Sequence, residues 1–192
     1  LPSHQKKVMN RMKLSGHTQR VSGLTTYMAR GYPSCVISCS WDESIKIWKV
    51  DDCFKQKNNH KQPICVQDSW RTLHGHTNRI CCVKVFDVYP TTTSTSSNGG
   101  GGTHPLIASG STDGTIKVWN FKASSDGSGN GDSDNFNTDC LFTVVDEFNI
   151  TWYLCLEFLY TPTRGHMLIS GGKDNFVKVS GYVVCGMFGY VL

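Results

Sequence analysis

Apolar residues fall along this chain in short runs, never in long stretches. Runs of five to eight residues rich in Val, Ile, Cys and Trp alternate with clusters of Gly, Ser, Thr, Asn and Asp, the pattern of strands separated by turns. Ile45 and Ile47 alternate with Lys46 and Trp48, and Ile116 and Val118 with Lys117 and Trp119, a period of two. Both faces of these runs are largely apolar, which suits strands sandwiched between neighbours with the Lys stems along an edge. Asp113-Gly114, flanked by apolar runs, predicts a tight hairpin. No segment sustains a helical period. The pattern predicts an all-β protein.

The runs also repeat. Gly16-His17-Thr18-Gln19-Arg20-Val21 aligns with Gly75-His76-Thr77-Asn78-Arg79-Ile80. Downstream, the segment from Val36 to Trp48 aligns with that from Ile107 to Trp119, and a weaker third copy runs from Leu168 to Val179. Each copy places Ser four residues before Asp (Ser38/Asp42, Ser109/Asp113, Ser170/Asp174), and the first two place Trp six residues after it. His17 to Asp42 is 25 residues, as is Asn149 to Asp174, whereas His76 to Asp113 is 37. The excess lies in the tract from Thr91 to Gly102, which holds only Thr, Ser, Asn and Gly and is expected to be a surface loop. The tract from Ser124 to Asn137 and the charged insert from Asp51 to Lys61 read the same way. Without them the unit is roughly 40 residues, within the range of periods that structural repeats show.

The Gly-His pair, the Ser-x-x-x-Asp run and the Trp that follows resemble a WD40 repeat, the four-stranded blade of a β-propeller. The resemblance covers about residues 8 to 180, although the closing dipeptides Trp48-Lys49, Trp119-Asn120 and Val179-Ser180 lack the name-giving Asp. It implies a partial WD40 β-propeller of about three four-stranded antiparallel blades with long polar loop insertions. Residues 1–14 would end a preceding blade with a strand around Met12 to Leu14. Residues 15–74 form repeat one, 75–146 repeat two with loops 91–104 and 124–137, and 147–180 a degenerate repeat three. The uncharged tail 181–192 has two readings: the fourth strand of blade three, or a segment that has replaced the natural continuation. Propellers close with about four to eight blades. Three blades make an arc with two open sides, so the chain is expected to be a fragment, with further blades supplied by a longer parent chain or by another chain.

In WD40 proteins the motif His, Ser, Asp and Trp form one hydrogen-bonded chain within a blade. The resemblance assigns that role to His17, Ser38, Asp42 and Trp48, and to His76, Ser109, Asp113 and Trp119. In the third copy Asn149 stands where the His belongs and Ser180 where the Trp belongs, which leaves Ser170 and Asp174. A His, a Ser and an Asp also make a catalytic triad, but the chain has no Gly-x-Ser-x-Gly elbow for the nucleophile. These residues are structural, and no catalytic residue is expected.

Partner-contacting side chains of the family recur at the third residue after the motif His and just before the motif Asp. Those positions are Arg20, Arg79 and Trp152, then Trp41, Thr112 and Lys173. Their Arg, Lys and Trp content on one rim suits an acidic or phosphorylated peptide.

Composition narrows the remaining classes. The 192 residues are 39% hydrophobic and 18% charged, enough to bury a core. No run of 18 apolar residues exists, so no spanning helix is expected. Nine cysteines without CxxC spacing or a companion His pair read as reduced core thiols, not a zinc site, and point to an intracellular protein, cytoplasmic or nuclear. The start is basic and polar, without a signal peptide, and Asn149-Ile150-Thr151 is a sequon that matters only outside the cell. The net charge of +4 is mild. Lys6, Lys7, Arg11 and Lys13 read as gatekeeper charges on an edge strand, so nucleic acid is not the expected partner. Asp126 to Asp134 resembles the start of a calcium loop, but position twelve is Asn137, so it reads as a flexible loop. No metal or cofactor is expected. The expected function is a non-enzymatic interaction scaffold or adaptor that binds proteins or peptides within an intracellular multiprotein complex. The alternatives are a substrate-recognition subunit of a ubiquitin ligase, an RNA-processing or ribosome-assembly factor, or an incomplete gene product without independent function.

Overall fold

The computed structural model describes residues 12–29, 31–51, 64–66, 68–88, 104–121, 140–145, 152–163, 165–183 and 190–191. Asn149, the calcium-like stretch, Lys6, Lys7, Arg11 and nearly all of the three polar insertions lie outside them. The described strands are β1 (Met12–Leu14), β2 (Val21–Tyr27), β3 (Cys35–Ser40), β4 (Ile45–Lys49), β5 (Ile64–Val66), β6 (Arg71–Leu73) and β7 (Ile80–Val88). They continue with β8 (His104–Ser111), β9 (Thr115–Asn120), β10 (Cys140–Val145), β11 (Tyr153–Thr161), β12 (Gly165–Gly172), β13 (Val177–Val183) and β14 (Tyr190–Val191).

Three four-stranded antiparallel sheets follow in chain order: β2-β3-β4-β6, β7-β8-β9-β10 and β11-β12-β13-β14. They are the blades of a partial propeller. In each, the first three strands form a meander, and the motif Ser sits mid-strand on the second. Strand β1 stands apart from them. It pairs in parallel with β5, Met12 opposite Ile64, in a separate two-stranded sheet. Strand β13 runs through Ser180 to Val183 and pairs with β14.

The blades are joined by two apolar clusters. Between the first and second, Ile37, Ile45, Ile47 and Leu73 pack with Ile80, Val83, Ile107, Trp119 and Phe121. Between the second and third, Ala108, Ile116 and Val118 pack with Tyr153, Leu156 and Leu168. Polar contacts supplement the joints: the Tyr27 hydroxyl donates to Asp87 Oδ1 at 2.7 Å, and Lys84 pairs with Glu157 at 2.8 Å. Nζ of Lys46 and of Lys117 donates to the hydroxyl of the cross-strand Thr72 and Thr143 on the fourth strands, at 3.0 and 2.9 Å.

Each first strand carries a register shift at the same place, between Val21 and Gly23, Ile80 and Cys82, and Tyr153 and Cys155. Just beyond it every blade opposes one Gly with one Cys: Gly23 with Cys39, Cys82 with Gly110, and Cys155 with Gly171. A Cβ on Gly110 would lie 2.8 Å from both Cys82 Sγ and Tyr153 Cβ, so the small residue is required where the next blade approaches. Burial pushes the Cys39 thiol up to about 11 and raises that of Cys82. These thiols are packing groups, not nucleophiles.

The turn between the second and third strands has a left-handed residue directly after the motif Asp in all three blades: Glu43 (φ 66°), Gly114 (φ 82°) and Asn175 (φ 65°). Only the second blade meets this demand with Gly, the residue that adopts it without strain.

Candidate functional site

Two sets of side chains were singled out by the sequence, and the geometry differs between them. The first lies inside the blades. Nδ1 of His17 is 2.8 Å from Asp42 Oδ2, Nε2 is 2.8 Å from Ser38 Oγ, and Trp48 Nε1–H donates to the same Oγ at 2.9 Å. In the second blade His76, Asp113, Ser109 and Trp119 make the same three contacts at 2.7, 2.8 and 2.8 Å. One tautomer satisfies this chain. A carboxylate only accepts, so Nδ1–H donates to the Asp, and neutral Nε2 accepts from the Ser hydroxyl.

The carboxylate takes more donors than those four residues supply. Asp42 also accepts from the Ser44 hydroxyl at 2.6 Å, the Ser44 N–H at 3.0 Å and the Thr18 N–H at 3.0 Å. Asp113 accepts from the Thr115 hydroxyl, the Thr115 N–H and the Thr77 N–H at 2.6, 2.9 and 3.1 Å. Burial alone would raise the pKa of Asp42. The hydrogen bonds from Ser44, His17 and the Thr18 backbone outweigh it and hold the carboxyl at about 2. Asp113 is likewise held below the carboxylate range, its burial outweighed chiefly by His76. The hydroxyl two residues past the Asp was readable as Ser44 and Thr115 in register, and the sequence reading passed over it.

In the third blade the position of the Trp is taken by Ser180, opposite Leu168, as Trp119 stands opposite Ile107. Ser170 is buried. Asp174 forms an ion pair with Lys178 and accepts from the Phe176 N–H at 3.2 Å. Phe176 occupies the place of Ser44 and Thr115, so the side-chain donor at that place is missing as well.

The second set lies on one rim, and the backbone puts it there. The N–H of Trp41 donates to the Arg20 carbonyl at 2.9 Å, that of Thr112 to Arg79 at 3.0 Å, and that of Lys173 to Trp152 at 3.0 Å. Each pair thus joins the entry to the first strand with the turn after the second. The Trp41 ring receives two cations, Arg20 at 5.2 Å and Arg79 at 4.4 Å from its centroid. Lys173 Nζ lies 4.1 Å from the Trp152 centroid. The Thr112 hydroxyl donates to the Arg79 carbonyl at 3.3 Å. Arg20, Arg79, Trp152 and Lys173 are exposed.

Among the described residues no three His, Cys, Asp or Glu side chains come together as a metal-binding group. No described helix is long and apolar enough to cross a membrane.

Comparison with known proteins bears on the fold. The family model for the WD domain, G-beta repeat, matches residues 9–49 and 67–120. Among solved structures the chain is similar to the WD40 domain of Toxoplasma gondii coronin, with a TM-score of 0.54 and 15% identity over 88% of this chain. The chain spans 33% of that domain. Among curated proteins no sequence matches.

Proposed function

Residues 9–49 and 67–120 make this chain a member of the WD40-repeat family, and on that premise we propose that it is a non-enzymatic scaffold or adaptor binding a protein or peptide partner through the rim. The partner is acidic or phosphorylated. One observation carries this reading: Arg20 and Arg79, from neighbouring blades, are both held against the Trp41 ring. Stacking restricts the two side chains in advance, so less entropy is lost when their guanidinium groups engage a partner. Each planar fork matches a carboxylate or phosphate with two parallel hydrogen bonds. Lys173 on Trp152 extends the basic rim into the third blade. The free thiols suit a reducing compartment, cytoplasm or nucleus.

The test is fluorescence anisotropy with two labelled peptides of one sequence, one carrying a phosphoserine flanked by Glu and one with that serine unmodified. The chain is expected to bind the charged peptide, with affinity falling as salt rises. The double variant Arg20→Ala/Arg79→Ala is expected to lose at least about tenfold. Undiminished binding by that variant, or no binding to either peptide, rejects the reading.

A further inference from the structure

The turn after β3 holds a carboxylate with no partner among the described residues. Glu43 is exposed, and none of them hydrogen-bonds or ion-pairs with its side chain. Its backbone nevertheless sits at φ 66°, in the left-handed region, where an L side chain is disfavoured. At the same position blade two has Gly114 and blade three Asn175, the residue types that accept this conformation most readily. Bonds on either side of Glu43 pin the turn. The Trp41 N–H donates to the Arg20 carbonyl at 2.9 Å, the Thr18 N–H to Asp42 Oδ2 at 3.0 Å and the Ser44 N–H to Asp42 Oδ1 at 3.0 Å. Strain held in place by its surroundings gathers at functional sites, and here such a site is adjacent. Glu43 lies two residues from Trp41, so their Cα atoms are within about 7.6 Å, and Trp41 is the ring that holds Arg20 and Arg79.

We propose that Glu43 is a specificity-determining residue of this rim, receiving a Lys or Arg of the partner that lies beside the acidic or phosphorylated residue held by Arg20 and Arg79. The inference rests on the reading of the rim as a site for such a residue, and it makes the preferred ligand one of mixed charge. A carboxylate near two guanidinium groups weakens their pull on an anion. Glu43 therefore works against the rim on two counts, by its backbone strain and by its charge, unless the ligand also brings a cation. With that cation the same carboxylate attracts the right partner and repels one with an acidic residue at that place. Selection of this kind uses a repulsive element as well as an attractive one. Gly114 and Asn175 carry no charge, so the device belongs to the first blade, where the Trp41 ring gathers the two arginines.

The test is fluorescence anisotropy with phosphoserine peptides that are otherwise alanine around the phosphoserine. Lys, and separately Glu, is walked through the positions on either side of it. At one position or two neighbouring ones Lys is expected to raise affinity about two- to fivefold over Ala, and Glu to lower it. Glu43→Gln keeps the side-chain length and the strained backbone. It is expected to abolish both differences while binding the alanine phosphopeptide at least as tightly as the parent. Glu43→Gly is expected to abolish them too while unfolding at a higher temperature, so the lost selectivity cannot come from a lost fold. A parent chain indifferent to Lys and Glu at every position overturns the proposal, as does a preference that survives Glu43→Gln. Both results leave the Arg20 and Arg79 reading intact. Weaker binding of the alanine phosphopeptide by Glu43→Gln also overturns it, because Glu43 would then act by holding the turn. Binding to no phosphopeptide removes the rim reading, and the proposal with it.

Discussion

The guanidinium of Arg79 lies 4.4 Å from the centroid of the Trp41 ring, in a contact between the second blade and the first. Trp41 is on the turn after β3 and Arg79 precedes β7, so the contact depends on how two separate sheets are set side by side. It makes the rim a composite of blades, and Trp41 the group on which both arginines depend. A cation over an aromatic ring contributes about 0.5–1 kcal/mol at an exposed site. Trp41→Ala is therefore expected to weaken binding of the phosphoserine peptide about three- to tenfold with both arginines still present, since it frees two cations. Trp41→Phe is expected to restore most of the loss. Equal weakening by the two variants means the ring itself touches the partner.

The blade fasteners lead to a stability prediction. Ser109→Ala removes the acceptor of the buried Trp119 N–H and the donor to His76 Nε2. A buried group left unpaired costs about 1–3 kcal/mol, and that is the expected loss in urea unfolding at neutral pH. Ser170→Ala is expected to cost less than about half as much, because Ser180 supplies no indole above it. Equal losses at the two sites would show that the hydroxyl, not the chain of bonds, is what stabilises.

Acid sensitivity follows from Asp42. Its carboxyl titrates at about 2 in the fold against an ordinary 3.8, so the native state binds this proton less readily than the unfolded chain. Its contribution to stability is complete above about pH 4 and is lost as the pH falls from there through about 2. Urea midpoints measured from pH 6 down to 2 should decline over that window. Asp42→Asn should be less stable at neutral pH and decline less steeply; a decline parallel to the parent rules Asp42 out as the cause.

The shared turn supplies an asymmetric pair of substitutions. Glu43 holds φ at 66° where the second blade has Gly114 at 82°, and a Cβ in the left-handed region costs on the order of 1 kcal/mol. Glu43→Gly is expected to stabilise by about 0.5–1 kcal/mol and Gly114→Ala to destabilise by a similar amount. Thermal unfolding should move in opposite directions for the two variants. A fall in both would mean that the Glu43 side chain contributes something beyond its backbone angle.

Much of the molecule was legible in one dimension. Alternation of Ile with Lys and Trp marked β4 and β9, and the recurring Ser, Asp and Trp marked the polar chain inside each of two blades. Both features are local to one sheet: side-chain direction has a period of two, and a buried polar group needs its partner at a set cross-strand register. The departures of the third copy were equally legible, since Ser180 cannot donate as an indole does.

The relations between sheets were not legible. No spacing rule announces that Trp41 meets Arg79, that Gly23 faces Cys39 while Gly110 faces Cys82 with the partners exchanged, or that β1 pairs with β5. The sequence by itself determined the blades, because strand period and hydrogen-bond satisfaction act within a repeat. Tertiary structure alone decided the rim and the joints between blades, because sheet packing depends on which neighbour stands against each blade.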